Sequence, residues 1–333
     1  MSFKEALYYR KKDNLDAECL LCPHHCIIKP DKAGVCGVRV NKDGRLIASN
    51  YGEVTSIAMD PVEKKPLYHF YPGTEILSIG TKGCNLKCPF CQNWSISQDT
   101  EALSSFRSPE EIVNTAIVSG SIGVAYTYSE PTVWFEYVKD TALLAKEKGL
   151  KNVMVTNGYI NPEPLEELTK FIDAMNIDLK CYSADAYSKI IKGGLEPVKN
   201  TIRRAYELGC FIEVTTLIVT GINDNLDELL EIAEFLASID KRIPWHLSRY
   251  YPSYKYNQPA TDVDFLTDVW ESAIEILDYV FTGNVHPTDA RSDTVCPKCH
   301  SVVISRNGYH TVIKELENGR CTQCNYELGI IHK

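Results

Sequence analysis

The 333-residue chain predicts an α/β fold: a partial (β/α)6, TIM-like barrel with a cysteine-rich module before it and a zinc-ribbon-like module after it. Two observations carry this. Between about residues 76 and 285, apolar strand segments alternate with amphipathic helical stretches, a pattern that implies a parallel sheet. Eleven of the 13 cysteines fall into three groups, two in the flanks and one directly after the first strand. The expected boundaries are 1–74, 75–286 and 287–333.

The strand segments in order are 76–80, 122–126, 152–156, 174–179, 211–217 and 243–247. Six units are too few to close an eight-stranded barrel, and by analogy with complete barrels the functional groups belong at the carboxyl ends of the strands. The first helix has a strong start signal: Ser108 as N-cap, Pro109 at N1 and Glu111 at N3 to complete a capping box. Asn161 with Pro162, and Asn225 with Glu228, repeat that logic. The helices at roughly 162–171, 225–238 and 262–279 carry apolar residues at three and four spacing, so each has one face for the sheet.

Composition sets the class. Hydrophobic residues make up 44% and charged residues 24%, ordinary values for a globular chain. The net charge of -9 argues against a nucleic-acid partner. The start, MSFKEALYYRKKD, lacks an apolar core, and no run approaches the roughly 18 apolar residues of a membrane helix, so no membrane partner and a cytoplasmic location are expected. Thiols stay reduced there, and clustered cysteines read as metal or iron–sulfur ligands. Cys181 and Cys210, which stand alone, read as packing residues.

GCNLKCPFCQNW places Cys84, Cys88 and Cys91 in a CxxxCxxC loop at the end of the first strand. Cubanes that only carry electrons generally use four cysteines, so three leave one iron open to a non-protein ligand. The bland alternatives are a zinc site completed by a distant cysteine, or a redox CxxC pair. Near the start, Cys19, Cys22, Cys26 and Cys36 supply four thiols, enough for zinc or for a second iron–sulfur cluster. His24 and His25 are read as bystanders. In the tail, Cys296 and Cys299 pair with Cys321 and Cys324 at zinc-ribbon or rubredoxin-like spacing, with zinc favoured over iron, and Asn307-Gly308 and Asn318-Gly319 mark turns between them.

With CxxxCxxC and Phe90 at its aromatic position, YSEP at 128–131, TNG at 156–158 and DLK at 178–180, the chain resembles the radical S-adenosylmethionine (SAM) superfamily, in its pyruvate formate-lyase-activating-enzyme-like branch. CxLCPHxC, EKKPLYHFYPG at 63–73 and WHLSRYYP at 245–252 are similar to the radical SAM component of the AmmeMemoRadiSam system. The resemblance implies a 4Fe–4S cluster on Cys84, Cys88 and Cys91, whose open iron binds SAM. It implies SAM contacts from Ser129, Glu130, Thr156, Asn157, Asp178, Lys180 and His246. It also implies reductive cleavage of SAM to a 5'-deoxyadenosyl radical that takes hydrogen from a protein glycine or another substrate, a reductant such as flavodoxin or ferredoxin, and a substrate protein or small molecule with partner proteins. The family's GGEP motif has lost both glycines here, which puts the close backbone approach to SAM in question. Glu213 and Thr215 share a parity on the fifth strand without an assigned role, and no residue is assigned as catalytic. The competing classes are a multi-cluster electron carrier without SAM chemistry and a zinc-ribbon adaptor protein. The open three-cysteine loop counts against the first, and the lack of basic clustering against the second.

Overall fold

The computed structural model describes residues 4–286 and 289–332. The chain divides into two compact units. Unit 1 comprises the chain to Asp60, Ile76–Met175 and Ala184–Phe211; unit 2 comprises Pro61–Glu75, Asn176–Ser183 and the chain from Ile212. The segment after Asp60 thus falls with the cysteine-rich tail, and residues up to Asp60 fall with the first barrel strands.

In unit 1 the sheet runs β1 (Ser56–Pro61), β2 (Glu75–Gly80), β3 (Gly123–Tyr126), β4 (Lys151–Thr156) in spatial order. β3 is parallel to both neighbours, with Val124 opposite Leu77 on one side and Asn152 on the other. All four of its residues are buried, as a strand covered on both faces requires. Gly123 is obligatory, because a Cβ there would lie 1.9 Å from the Lys151 carbonyl oxygen. The helices are α1 (Pro109–Val118), α2 (Phe135–Glu147), α3 (Pro162–Leu168) and α4 (Leu195–Glu207). α1 begins with the expected capping box: the Glu111 amide donates to Ser108 Oγ at 3.2 Å, and the Ser108 amide to Glu111 Oε2 at 2.7 Å. It buries Ile112, Val113 and Ala116, worth very roughly 1.5–3 kcal/mol for each large apolar side chain. Asn161 departs from expectation. Its side chain does not cap α3 but donates to the Leu20 carbonyl at 2.7 Å, a long-range tie that no local pattern encodes. Residues 4–48 form two small antiparallel sheets, one of which holds Cys19 with its amide on the Cys26 carbonyl at 2.9 Å.

A further strand, β5 (Ala174–Asp178), runs from unit 1 into unit 2, where β6 (Phe211–Ile218), β7 (Trp245–Arg249) and β8 (Val280–Gly283) follow. β6, β7 and β8 are parallel, and Thr215, His246 and Phe281 are neighbours in register. β1 and β8 were not among the six expected strands. The helix expected at 262–279 is α6 (Val263–Ala273), preceded by α5 (Leu226–Ala237). The chain leaves α6 and enters β8 within a few residues, and Trp270 Nε1 on the helix donates to the Val280 carbonyl at 2.8 Å. The run Tyr279-Val280-Phe281-Thr282 has strand-forming side chains that helical spacing conceals. Asn225 caps α5 as expected, accepting from the Glu228 amide at 3.0 Å.

The tail of unit 2 is a pair of hairpins. Val302–Asn307 pairs with His310–Ile313, and Leu316–Glu317 with Arg320–Cys321, each turning at the expected glycine. Its last residues fasten the segment 63–73: Ile331 donates its amide to the His69 carbonyl at 2.8 Å and accepts from the Tyr71 amide at 2.7 Å. Arg306 Nη2 donates to the Tyr68 carbonyl at 2.7 Å, its guanidinium 4.2 Å from the Tyr68 ring centre. No helix among the described residues is long and apolar enough to cross a membrane.

Candidate active site

The three-cysteine loop leaves β2 through Gly83, whose φ of +93° suits glycine. A Cβ at Gly83 would lie 2.8 Å from the Cys36 carbonyl oxygen, so the loop is seated directly on the N-terminal cysteine group. Its far side rests on a segment after β5. Lys87 donates its amide to the Ile191 carbonyl at 2.9 Å, and a Cβ on Gly193 would strike Leu86 Cδ2 at 2.5 Å. Tyr187–Ile191 forms a π-helical turn beneath it. Cys88 is buried, Cys84 and Cys91 are half-buried, and Cys91 Sγ lies 3.2 Å from Ser97 Oγ.

At the ends of β3 and β4, YSEP and TNG are joined by one carboxylate. Glu130, 1% exposed, accepts from Thr132 N (2.9 Å) and Thr156 Oγ1 (2.7 Å) on Oε1, and from Asn157 N (2.8 Å) on Oε2. Burial raises its pKa, and the three donors oppose that rise. Asn157 Nδ2 then reaches the loop, donating to Asn85 Oδ1 at 2.9 Å and to Cys84 Sγ at 3.6 Å. Unit 1 therefore brings together Cys84, Glu130, Thr156 and Asn157, residues that lie far apart in the sequence.

Ser129, next to Glu130, has a buried hydroxyl with no hydrogen-bond partner among the described residues. An orphaned buried hydroxyl at a strand end costs stability unless something meets it, and an ammonium donor would. Tyr128 stands at the first glycine position of the usual motif and keeps a glycine-like backbone, φ +67°. Its hydroxyl donates to Asp60 Oδ2 at 2.6 Å, and its ring packs where a Cβ on Gly80 would approach within 3.0 Å. A backbone conformation that favours glycine is thus held here by a tyrosine. The donor set fits an iron–sulfur cluster carrying SAM: three thiols on one loop, the Asn157 amide on one of the sulfurs, and, next to Glu130, a hydroxyl that meets no partner among the described residues. Burial and the Glu130 carboxylate push the Cys84 thiol well above its ordinary pKa, which a bound cation would reverse.

In unit 2, Lys180 Nζ and Asp178 Oδ2 form a 2.7 Å ion pair. His246 Nε2 meets Glu213 Oε2 at 2.6 Å, both buried, and Glu213 Oε1 accepts the His69 amide at 2.7 Å. Thr215 Oγ1 donates to Asn176 Oδ1 (3.0 Å), and Asn176 Nδ2 donates to the Pro66 carbonyl (2.8 Å). The segment Pro66–His69 therefore lies on the strand face that carries Asn176, Glu213, Thr215 and His246, with Tyr68 edge-on to His246 at 4.6 Å. The roles of Asn176, Glu213 and Asn85 were not legible in the sequence. Asn85 carried a signal as a polar residue inside a loop beside Cys84, and Glu213 one in its shared strand parity with Thr215.

The tail cysteines converge. Their four sulfurs lie within 4.8 Å of one another, with Cys296–Cys324 and Cys299–Cys321 each at 3.6 Å. A tetrahedral ion with metal–sulfur bonds of about 2.3 Å needs thiolates about 3.8 Å apart, so this geometry suits a single metal ion. In the N-terminal group, Cys19, Cys22, Cys26 and Cys36 line one cavity together with Arg39 and Asn85. His24 lines that cavity too, with its Nε2 on the Asn85 carbonyl oxygen at 2.7 Å, whereas His25 Nε2 meets Asn161 Nδ2 at 3.4 Å.

A family model described as the Radical SAM superfamily matches residues 78–236. The chain is 45% identical over 335 residues to uncharacterized protein MJ0808 of Methanocaldococcus jannaschii, an alignment that covers 98% of this chain and 99% of that one. MJ1227 of the same organism, named as a candidate glycyl-radical enzyme activating enzyme, is 28% identical over 231 residues, or 66% of this chain and 92% of that one. Among solved structures, Streptococcus suis SuiB bound to S-adenosylmethionine matches with a TM-score of 0.50 at 17% identity, over 65% of this chain and 50% of that one, a likeness of fold.

Proposed function

The chain belongs to the radical SAM superfamily, in its pyruvate formate-lyase-activating-enzyme-like branch, and from that premise we propose that it cleaves SAM reductively and abstracts hydrogen from a protein glycine. A 4Fe–4S cluster with SAM on its open iron supplies, on one-electron reduction, methionine and a 5'-deoxyadenosyl radical. Cys84, Cys88 and Cys91 would hold that cluster, and Asn157 would donate to the Cys84 sulfur. Ser129 would accept from the SAM ammonium. Glu130, with both oxygens already engaged, would hold the two strand ends in register, and Thr156 would share in that tie. Within unit 2, Lys180 would have a charge to offer a carboxylate by exchanging its Asp178 partner, and Glu213 would orient His246 and leave its other ring nitrogen for a ligand.

The observation that carries this reading is the partnerless buried hydroxyl of Ser129 beside the Glu130 tie. A second reading, hydrogen abstraction from a small molecule, is favoured by the segment Pro66–His69, which covers the strand face that carries Asn176, Glu213, Thr215 and His246. The single ion expected in the tail is zinc, in a structural role. One-electron reduction calls for a donor such as flavodoxin or ferredoxin.

The test is anaerobic reconstitution with iron and sulfide, then dithionite and SAM. 5'-Deoxyadenosine and methionine are expected, and their absence with intact clusters would overturn the proposal. Deuterium carried into 5'-deoxyadenosine from a glycine-deuterated glycyl-radical enzyme identifies a protein donor. Transfer only from a small molecule establishes the second reading.

A further inference from the structure

We infer that Cys19, Cys22, Cys26 and Cys36 form a second iron–sulfur site, a four-cysteine 4Fe–4S cluster that hands single electrons to the three-cysteine loop. Three observations point there. The first is spacing. The tail sulfurs meet the demands of a single ion, whereas among the described residues the N-terminal thiols do not converge as a group that could hold one. They nonetheless line one common cavity. A cubane puts an inorganic edge between neighbouring thiolates and so spreads them further than one ion does.

The second is charge. A four-thiolate cubane is anionic, and the cavity is lined by Arg39, which is 1% exposed. Its two Nη atoms bond Glu136 at 2.9 and 2.8 Å, while its Nε has no hydrogen-bond partner among the described residues. A buried guanidinium N–H without an acceptor is costly, and a cluster sulfur or thiolate would satisfy it. The Gly34 backbone contributes room: a Cβ there would lie 3.5 Å from Cys26 Sγ and 3.1 Å from Ile28 Cδ1.

The third is continuity with the three-cysteine loop. Asn85 lines the cavity, accepts on its carbonyl oxygen from His24 Nε2, between Cys22 and Cys26, at 2.7 Å, and accepts on its side chain from Asn157, which itself donates to Cys84. The Cys36 carbonyl packs against Gly83, next to Cys84. Two short routes, one of hydrogen bonds and one of packed backbone, thus join the groups. A low-potential one-electron carrier protein is oxidised as the N-terminal cluster goes from its 2+ to its 1+ state. That cluster returns to 2+ when the electron passes to the loop. The relay role rests on the proposed SAM chemistry; the identity of the site does not.

Acid-labile sulfide and EPR separate the two. Wild-type protein reconstituted without oxygen should hold about eight sulfides per chain, and the C84A/C88A/C91A variant about four, with the EPR signal of a reduced cubane after dithionite. About four sulfides in the wild type and none in that variant would overturn the second cluster. About four in both would instead remove the loop cluster and leave the N-terminal one standing. The wild-type count needs no variant to fold. For the relay, C19S/C22S should keep dithionite-driven SAM cleavage within about twofold but lose at least tenfold of the cleavage driven by reduced flavodoxin. Equal retention of both in a variant that has lost the N-terminal sulfide would overturn the relay.

Discussion

Glu130 accepts the backbone amide of Asn157 at 2.8 Å, and this bond fastens the end of β3 to the end of β4 at the point where Asn157 meets the cluster loop. Glu130→Ala orphans three buried donors, on Thr132, Thr156 and Asn157, each worth about 1–3 kcal/mol. A loss of several kcal/mol in chemical denaturation is expected, together with at least tenfold weaker SAM binding. Unchanged stability would show that the tie is replaced by water.

Cys88→Ala should abolish SAM cleavage while leaving one equivalent of tail metal, and Cys299→Ala should do the reverse. Metal analysis paired with product assay reads both. Equal loss of cleavage in two folded variants would contradict the division of roles.

The tail fastens residues 68–71 through Ile331 and Arg306. Removing the tail metal with a chelator should therefore raise amide hydrogen exchange at Tyr71, whose amide donates to Ile331, by tenfold or more, because metal-dependent folding of such a module is lost with its ion. Exchange that rises only within 296–324 would show that the clamp stands without the metal.

Gly83→Ala places a methyl 2.8 Å from the Cys36 carbonyl oxygen and forces a φ of +93° on a side-chain-bearing residue. Backbone strain alone costs on the order of 1–3 kcal/mol. Lower melting temperature and reduced iron incorporation are expected together. Gly149→Ala, at a positive φ with nothing within 4 Å, is the control and should lower stability without touching iron content.

Glu136→Ala leaves Arg39 charged and buried without its bidentate partner, which costs about 3–5 kcal/mol when a buried pair is broken. Denaturation midpoints check it. A drop below about 1 kcal/mol would mean that water reaches Arg39.

The local signals that came through are those whose physics is local. The capping box at Ser108, the asparagine cap at Asn225, the Asn-Gly turns and each CxxC pair of the tail act within a few residues, so the chain states them outright. Asn161 had the same signature as Asn225 and went elsewhere, because a distant carbonyl at Leu20 competes for its amide. β8 was hidden in a helical pattern, since a short apolar run satisfies both periods until packing chooses.

The sequence by itself determined the α/β alternation, the open three-cysteine loop and the family to which both belong, because periodicity and ligand spacing are properties of neighbouring residues. Tertiary structure decided the rest: that Glu130 serves as a tie, that Glu213 holds His246, that Asn85 and Asn157 connect two cysteine groups, and that the tail clamps residues 68–71. Each of these is a hydrogen bond between residues far apart in the chain. Its partner is chosen by which groups folding buries together, and nothing in the local sequence records that choice.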